Sequence, residues 1–310
     1  MSINVLFAAP PERWEAYQPH LNRAFSQLGL NVDLALSFPP EDVDYIVYAP
    51  NSPLQDFGPY THAKAVLNLW AGVEGIVNNA TLKIPLARMV DPGMTKSMSE
   101  WVTGHVLRYH LGMDRHIVNP DQSWVPHTPP LASERSVCIL GMGELGQAVA
   151  EVLVTLGFKV SGWSRREKPL LNITMHHGGA GLENALSHAE ILILLLPDTA
   201  ATKNTLNAQT ASLLPKGAFV INPGRGTLID DQALLDALDS GQVAQATLDV
   251  FRVEPLPQDH PFWTDPRVTV TPHIAAETRE ATASEVIAAN VLRCEIGEPL
   301  LHLVDRDSGY

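Results

Sequence analysis

Residues 136–166 read SVCILGMGELGQAVAEVLVTLGFKVSGWSRR. The apolar segment Ser136 to Leu140 is followed by a glycine-rich loop, an amphipathic segment from about Glu144 to Leu156, and a second apolar segment, Phe158 to Trp163. This succession predicts a strand, a helix and a second strand, because short apolar runs suit buried strands and the segment between them has helical spacing. The chain is therefore expected to be α/β, with a βαβ unit that begins near its middle.

The loop inside this unit has the spacing GxGxxG, directly after a strand and at the start of a helix. In that context the spacing is typical of dinucleotide binding. Gly141 permits the tight turn, Gly143 lets a pyrophosphate approach the backbone, and Gly146 lets the helix pack closely on the strand. The helix N-terminus adds N–H groups and a positive dipole. We predict that the whole loop binds the cofactor: Gly141, Met142, Gly143, Glu144, Leu145 and Gly146.

The end of the second strand indicates which dinucleotide is preferred. An NAD site usually has Asp or Glu there to bind the ribose 2′-hydroxyl. This chain has Trp163, Ser164, Arg165 and Arg166 instead. Guanidinium groups match phosphate oxygens, so these four residues are predicted to bind the cofactor and to favour NADP(H). NAD(H) is the alternative cofactor, because the Glu167 carboxylate could bind the ribose 2′-hydroxyl.

The remaining apolar runs place this unit in a larger α/β chain. Strands are predicted within the first ninety residues, with a helix from Arg13 to Leu28 at helical spacing. A long helix, Thr95 to Met113, leads into the second half, and a helix from Ala276 to Cys294 closes the chain. We predict a substrate-binding domain of residues 1–97 and 275–310 and a dinucleotide-binding domain of residues 98–274. The predicted strands are Asn4 to Ala8, Val32 to Leu36, Tyr45 to Ala49, Ala65 to Leu69, Ile191 to Leu196, Ala218 to Asn222, Ala244 to Asp249 and Val268 to Thr271.

Composition excludes several classes of partner. The formal net charge of −13, without a basic stripe, argues against nucleic acid, which is bound through Lys and Arg. Cys138 and Cys294 suggest no disulfide framework, so a cytoplasmic location is expected. No apolar run reaches the length of a membrane span, and the first residues do not resemble a signal peptide. The histidines lack ligand spacing, so no metal is expected.

Three titratable residues follow predicted strands, where open α/β sheets place their ligands. They are Arg225 in INPGRG, Glu254 in LDVFRVEP and His273 in TPHIAA. Reduction of a 2-oxoacid needs a cation for the carboxylate and a proton donor for the carbonyl oxygen. Arg225 meets the first need, and His273, supported by the Glu254 carboxylate, meets the second. Taken singly, each residue also has an ordinary structural explanation. Arg225 could be a helix-cap or salt-bridge residue, Glu254 a turn carboxylate before Pro255, and His273 a buried histidine.

These segments, together with HPFWTDPRVTVTPHIAA at 260–276, resemble the D-isomer-specific 2-hydroxyacid dehydrogenase family over nearly the whole chain. The resemblance implies catalytic roles for Arg225, Glu254 and His273 in substrate binding, support of the histidine and acid/base chemistry. It also implies two similar doubly wound parallel-sheet domains, a Rossmann cofactor domain and a flavodoxin-like substrate domain with a cleft between them. A homodimer is the implied assembly.

Within the family, Trp70, the WSRR stretch and the short chain resemble the glyoxylate and hydroxypyruvate reductase A type. The loop LWAGVE at 69–74 resembles the one whose N–H groups receive the substrate carboxylate, which implies substrate binding by Trp70, Ala71, Gly72, Val73 and Arg225. The implied activity is NADPH-dependent reduction of small 2-oxoacids. The alternatives are a reductase for bulkier, phenyl-substituted acids and a dinucleotide-sensing binding protein. Further cofactor contacts are implied for Leu196, Pro197, Thr202, Pro223, Gly224, Arg225, Asp249, His273, Ala275 and Ala276.

Overall fold

A computed structural model of the chain describes residues 2–117 and 121–309, in which strands and helices alternate. The first elements are β1 (Ile3–Ala8), α1 (Trp14–Gln27), β2 (Val32–Ala35), β3 (Tyr45–Tyr48), β4 (Ala65–Asn68), β5 (Leu86–Ala87), α2 (Pro92–Leu111) and α3 (Asp114–Ile117). The next are β6 (Ser136–Leu140), α4 (Glu144–Thr155), β7 (Lys159–Ser164), β8 (Thr174–His177), α5 (Gly178–Ser187), β9 (Ile191–Leu194) and α6 (Ala208–Ser212). The chain continues with β10 (Ala218–Asn222), α7 (Asp231–Asp239), β11 (Val243–Leu248), β12 (Val268–Val270) and α8 (Glu280–Glu295).

The chain divides into two compact units. Unit 1 contains the residues up to Met94 and those from Thr278 onward, and unit 2 is the continuous segment Thr95–Glu277. The boundaries predicted from the sequence, 97/98 and 274/275, lie three residues from these junctions. The roles predicted for the two units stay predictions.

Unit 1 contains a five-stranded sheet in the order β2-β1-β3-β4-β5. Its strands are parallel, with Val5 paired to Tyr45 and Tyr45 paired to Ala65. This order, 2-1-3-4-5, is that of flavodoxin-like folds. Helix α1 packs against α8 and buries a face made by Tyr17, Leu21, Ala24 and Phe25, whose spacing is that of an amphipathic helix.

Unit 2 contains a seven-stranded parallel sheet in the order β12-β11-β10-β9-β6-β7-β8. Counted within the unit, the order is 7-6-5-4-1-2-3, which is the Rossmann order with one added strand. The central strand β9, with the sequence ILIL, is buried along its whole length, as a sheet covered on both faces requires. The predicted fold class, α/β with one Rossmann and one flavodoxin-like sheet, is confirmed.

Most predicted elements lie where expected, and the exceptions have local causes. Strands β5 and β8 have no counterpart among the predictions, because β5 has only two residues and β8 has the polar sequence TMHH. Helix α8 begins at Glu280 and not near Ala276. The N–H groups of Ile274 and Ala275 instead donate to the Asp249 carboxylate, which holds that segment as a loop.

Both cysteines are free, and burial raises the pKa of the Cys138 thiol to about 12. Over residues 2–117 and 121–309, the chain forms no helix with the length and apolar character needed to cross a membrane.

The central sheet of unit 2 gives a test of the packing. Leu192 in β9 is fully buried, whereas Leu171, in the same unit, is 88% exposed. We expect Leu192→Ala to lower the free energy of unfolding by about 2–5 kcal/mol, because it leaves a cavity in a close-packed core. Leu171→Ala should change it by less than about 0.5 kcal/mol. Urea unfolding measures the free energy of unfolding of both variants. Equal losses of stability in the two variants would contradict the assignment of Leu192 to the core.

Candidate active site

His273 and Glu254 form a hydrogen-bonded pair in unit 2. The His273 Nδ1 atom lies 2.8 Å from Glu254 Oε2, and the two side chains are 55% and 36% exposed. The other carboxylate oxygen of Glu254 accepts a hydrogen bond from the Phe251 N–H at 2.8 Å. Glu254 is therefore fixed by its own loop and in turn fixes the imidazole ring. The ring keeps its second nitrogen, Nε2, for another partner.

A buried carboxylate shapes the loop that bears His273. Asp249 is fully buried, and its carboxylate accepts hydrogen bonds from Thr271 Oγ1 at 2.6 Å and from the N–H groups of Ile274 and Ala275 at 2.9 Å each. Its carbonyl oxygen accepts the His273 N–H at 2.8 Å. These bonds hold the His273 backbone at a φ of +55°, a left-handed conformation that residues other than glycine rarely adopt.

The turn that bears Arg225 is shaped by Asn222, the last residue of β10. Asn222 Oδ1 accepts the Gly224 N–H at 3.1 Å, and its Nδ2 donates to the Arg225 carbonyl oxygen at 2.9 Å. Arg225 Nη1 donates to the Gly224 carbonyl oxygen at 2.7 Å. Since a methyl group on Gly226 would overlap the backbone of Phe251, the Arg225 turn lies directly against the Glu254 loop.

The glycine loop has the geometry expected of a phosphate-binding turn. Gly141 has a φ of +108°, and side chains at Gly141 and Gly146 would overlap neighbouring backbone. Gly143, by contrast, is exposed and has open space around it. It precedes α4 and gives that helix no side-chain cap. The first N–H groups of α4 therefore face a place where an anion can approach the backbone. Glu144 is exposed.

Cationic side chains follow the second strand of this βαβ unit. Arg165 and Arg166 are exposed, and Ser164 Oγ donates to the Arg166 carbonyl oxygen at 2.6 Å. Lys168 reaches back to the glycine loop, where its Nζ donates to the Met142 carbonyl oxygen at 3.0 Å. Trp163 donates from Nε1 to the Gly178 carbonyl oxygen at 2.9 Å. The basic segment and the glycine loop are thus held together.

Other predicted cofactor residues lie around the same sheet edge. Thr202 Oγ1 donates to the Pro197 carbonyl oxygen at 2.6 Å, which closes the loop after Leu196. A side chain at Gly224 would lie 2.7 Å from the Leu194 carbonyl oxygen, so the turn containing Pro223 abuts the end of β9. Ala275 is buried in the hydrophobic core of unit 2, and Ala276 packs against that core.

The loop 69–74 belongs to unit 1. Trp70 is 41% exposed, and the carbonyl oxygens of this loop are bound from inside the unit. Asn68 Nδ2 donates to the carbonyl oxygens of Trp70 and Gly72 at 2.8 and 3.0 Å. The Met89 N–H also donates to Trp70, and Thr278 Oγ1 donates to the Leu69 carbonyl oxygen. Ala71 and Val73 each directly follow one of the two residues whose carbonyl oxygens Asn68 binds.

Another histidine of unit 2, His105, lies in a setting unlike that of His273. Burial, aided by the charge of Arg108, lowers the pKa of His105 to about 4, so this ring is neutral near pH 7. Within the ranges 2–117 and 121–309, no three His, Cys, Asp or Glu side chains cluster as metal ligands would.

Three polar residues were not predicted from the sequence: Asn222 and Lys168 in unit 2, and Asn68 at the end of β4 in unit 1. Asn222 had a detectable signal, because Asn before Pro-Gly commonly forms a side-chain turn. Lys168 lies two residues beyond the Arg165 and Arg166 pair and extends the same basic stretch. Asn68 had only the weak signal of an amide at the end of an apolar strand.

The sequence is similar to those of known proteins along nearly its whole length. A family model described as "D-isomer specific 2-hydroxyacid dehydrogenase, NAD binding domain" matches residues 106–275. A Serratia proteamaculans protein named glyoxylate/hydroxypyruvate reductase A is 37% identical over 99% of this chain and 100% of its own length. A Yersinia enterocolitica protein of the same name is 39% identical over 87% of this chain and 88% of its own.

Solved structures give the same result. A Xanthobacter autotrophicus D-isomer specific 2-hydroxyacid dehydrogenase, in complex with NADPH and MES, has a TM-score of 0.93 at 36% identity and full coverage of both chains. A Sinorhizobium meliloti NADPH-dependent glyoxylate/hydroxypyruvate reductase, in complex with NADP and sulfate, has a TM-score of 0.85 at 33% identity, again with full coverage. Because the family model spans more than half of the sequence and relatives align along its whole length, this chain belongs to the D-isomer specific 2-hydroxyacid dehydrogenase family.

Proposed function

We propose that this chain is an oxidoreductase that reduces small 2-oxoacids, such as glyoxylate and hydroxypyruvate, to 2-hydroxyacids with NADPH. The observation that carries the proposal is the 2.8 Å hydrogen bond between His273 Nδ1 and Glu254 Oε2, on an exposed loop beside the Arg225 turn. The names of relatives, which include glyoxylate/hydroxypyruvate reductases, support the substrate class.

His273 is the proposed general acid. With Nδ1 bound to the carboxylate, Nε2 is the nitrogen that donates a proton to the carbonyl oxygen of the substrate. The hydrogen bond between Nδ1 and Glu254 keeps the ring in one orientation. In the reverse direction the neutral ring accepts the same proton, so one residue serves both oxidation and reduction.

The substrate carboxylate needs fixed positive partners, because the chain carries a formal charge of −13 and repels anions at long range. We assign Arg225 to this task, since a guanidinium presents paired donors to a carboxylate and withdraws charge from the adjacent carbonyl. In unit 1 we assign the loop residues Trp70, Ala71, Gly72 and Val73, through their N–H groups. Accordingly, unit 1 is the proposed substrate-binding domain and unit 2 the dinucleotide-binding domain.

The residues of unit 2 fit a phosphorylated dinucleotide. Gly143 leaves open space at the start of α4, and Arg165 and Arg166 are exposed beside Ser164. When bound, NADPH supplies the hydride that reduces the carbonyl carbon. We assign the glycine loop to the pyrophosphate and the Ser164 to Arg166 segment to the 2′-phosphate, with NAD(H) as a weaker alternative. The remaining proposed contacts are Trp163, Leu196, Pro197, Thr202, Pro223, Gly224, Arg225, Asp249, His273, Ala275 and Ala276.

A homodimer and a cytoplasmic location complete the proposal. Exposed apolar side chains at Trp124, Val125 and Leu131 offer a surface for a second copy. A sedimentation experiment that finds only monomer would contradict the dimer.

The two free cysteines suit a reducing compartment, which supports the cytoplasmic location. Fractionation that finds the protein outside the cytoplasm would contradict that location.

The function is tested with a panel of 2-oxoacids assayed with NADPH and NADH. We expect kcat/KM to be highest for small substrates such as glyoxylate and hydroxypyruvate with NADPH. A preference for phenyl-substituted acids would indicate the bulkier substrate class. Tight NADPH binding without turnover of any 2-oxoacid would instead favour a dinucleotide sensor.

The acid role predicts the effect of His273→Asn. Asparagine tolerates the left-handed backbone at this position, so the change removes the imidazole without forcing the loop to move. We expect kcat to fall by about a hundredfold or more, the usual contribution of a general acid. His188→Ala, at an exposed histidine of the same unit, is the control and should leave kcat unchanged. A near wild-type kcat in His273→Asn would refute the mechanism.

The cofactor assignment predicts the effect of replacing Arg165 and Arg166 together with Ala. We expect KM for NADPH to rise about ten- to a hundredfold through loss of charge-assisted hydrogen bonds, with KM for NADH within about twofold of wild type. Lys159→Ala, at the opposite end of β7 and also exposed, is the matched control. An equal loss for both cofactors would show that the pair does not recognise the 2′-phosphate.

A further inference from the structure

Asn68 lies at the end of β4, directly before the loop that we assign to the substrate carboxylate. Its side chain is 1% exposed, and its Nδ2 atom donates to the carbonyl oxygens of Trp70 and Gly72. A carboxamide nitrogen has two hydrogens. Both are therefore used on the loop, one for each carbonyl group.

These two bonds determine where the next N–H groups point. In a trans peptide unit the C=O of one residue and the N–H of the following residue lie in one plane and point in opposite directions. The carbonyl oxygens of Trp70 and Gly72 point inward to Asn68, so the N–H groups of Ala71 and Val73 point away from it. Over the described residues, neither N–H group has a hydrogen-bond partner.

The buried amide also makes these N–H groups stronger donors. A peptide group whose carbonyl oxygen accepts a hydrogen bond is polarised, and its N–H then donates more strongly. Within the described part of the chain, Asn68 Oδ1 is buried without a partner. An unmet buried acceptor is costly. Asn68 thus binds the two loop carbonyl oxygens through Nδ2, whereas its Oδ1 atom has no partner among the described residues.

We propose that Asn68 is a positioning residue for the substrate: its amide orients the N–H groups of Ala71 and Val73 to receive the carboxylate of a 2-oxoacid. This inference rests on the proposed function. Asn68 does not touch the substrate but acts through two peptide groups. Neither Leu, which has no donor, nor Ser, which has one, can replace both hydrogen bonds.

The test compares Asn68→Leu and Asn68→Ser with wild type. We expect Leu to raise KM for glyoxylate and the inhibition constant of oxamate, an unreactive analogue, by about ten- to a hundredfold. Serine should give an intermediate increase. The Kd of NADPH should stay within about twofold and kcat should fall by less than about threefold, because neither the cofactor site nor the proton donor is altered.

Asn290→Leu is the matched control, because Asn290 is also a buried asparagine of unit 1 and its amide binds Leu301 instead of the loop. It should lower the Tm but leave KM and oxamate binding unchanged. A purely structural role for Asn68 would give that same pattern. If Asn68→Leu does not fold, Asn68→Ser alone decides the matter through its KM and its oxamate inhibition constant.

The outcomes separate the two proposals. Wild-type activity combined with unchanged KM and oxamate binding in both Asn68 variants would overturn the role of Asn68 alone. A wild-type protein that neither reduces 2-oxoacids nor binds oxamate would overturn the proposed function and the role of Asn68 together.

Discussion

The hydrogen bonds that Asp249 accepts from Thr271, Ile274 and Ala275 are the contacts on which the His273 loop depends. A buried carboxylate is stable only if donors replace its water, and here all three donors come from one short segment. That segment cannot join α8, and His273 takes a left-handed backbone at its centre. The position of the proposed acid is thus set by the hydrogen bonds of the buried Asp249 side chain.

The same arrangement occurs at three strand ends among residues 2–117 and 121–309. Asn68 at the end of β4, Asn222 at the end of β10 and Asp249 directly after β11 are all buried, and each binds the backbone of the loop that follows its strand. Loops at the carboxyl ends of parallel strands carry the ligand sites of such sheets. Three buried polar groups therefore give otherwise irregular segments fixed conformations.

The sequence predicted the features that depend on pattern. The GxGxxG loop, the apolar strands and the fold class could be predicted, because period and spacing are local properties of the chain. The roles of Arg225, Glu254 and His273 stay predictions, although the structure places Glu254 against His273 and the Arg225 turn against Phe251. Strand β8, the late start of α8 and the anchoring role of Asn68 depend on tertiary contacts, which local patterns do not encode.

The continuity of unit 2 has a consequence for how such a chain can diversify. Thr95–Glu277 is a single uninterrupted segment, whereas unit 1 is assembled from both ends of the chain. Two crossovers in a gene suffice to exchange the whole of unit 2, with its glycine loop and basic segment, as a cassette. Recombination could in this way replace the dinucleotide preference that we propose for unit 2 in one event, while Asn68 and its loop are inherited unchanged.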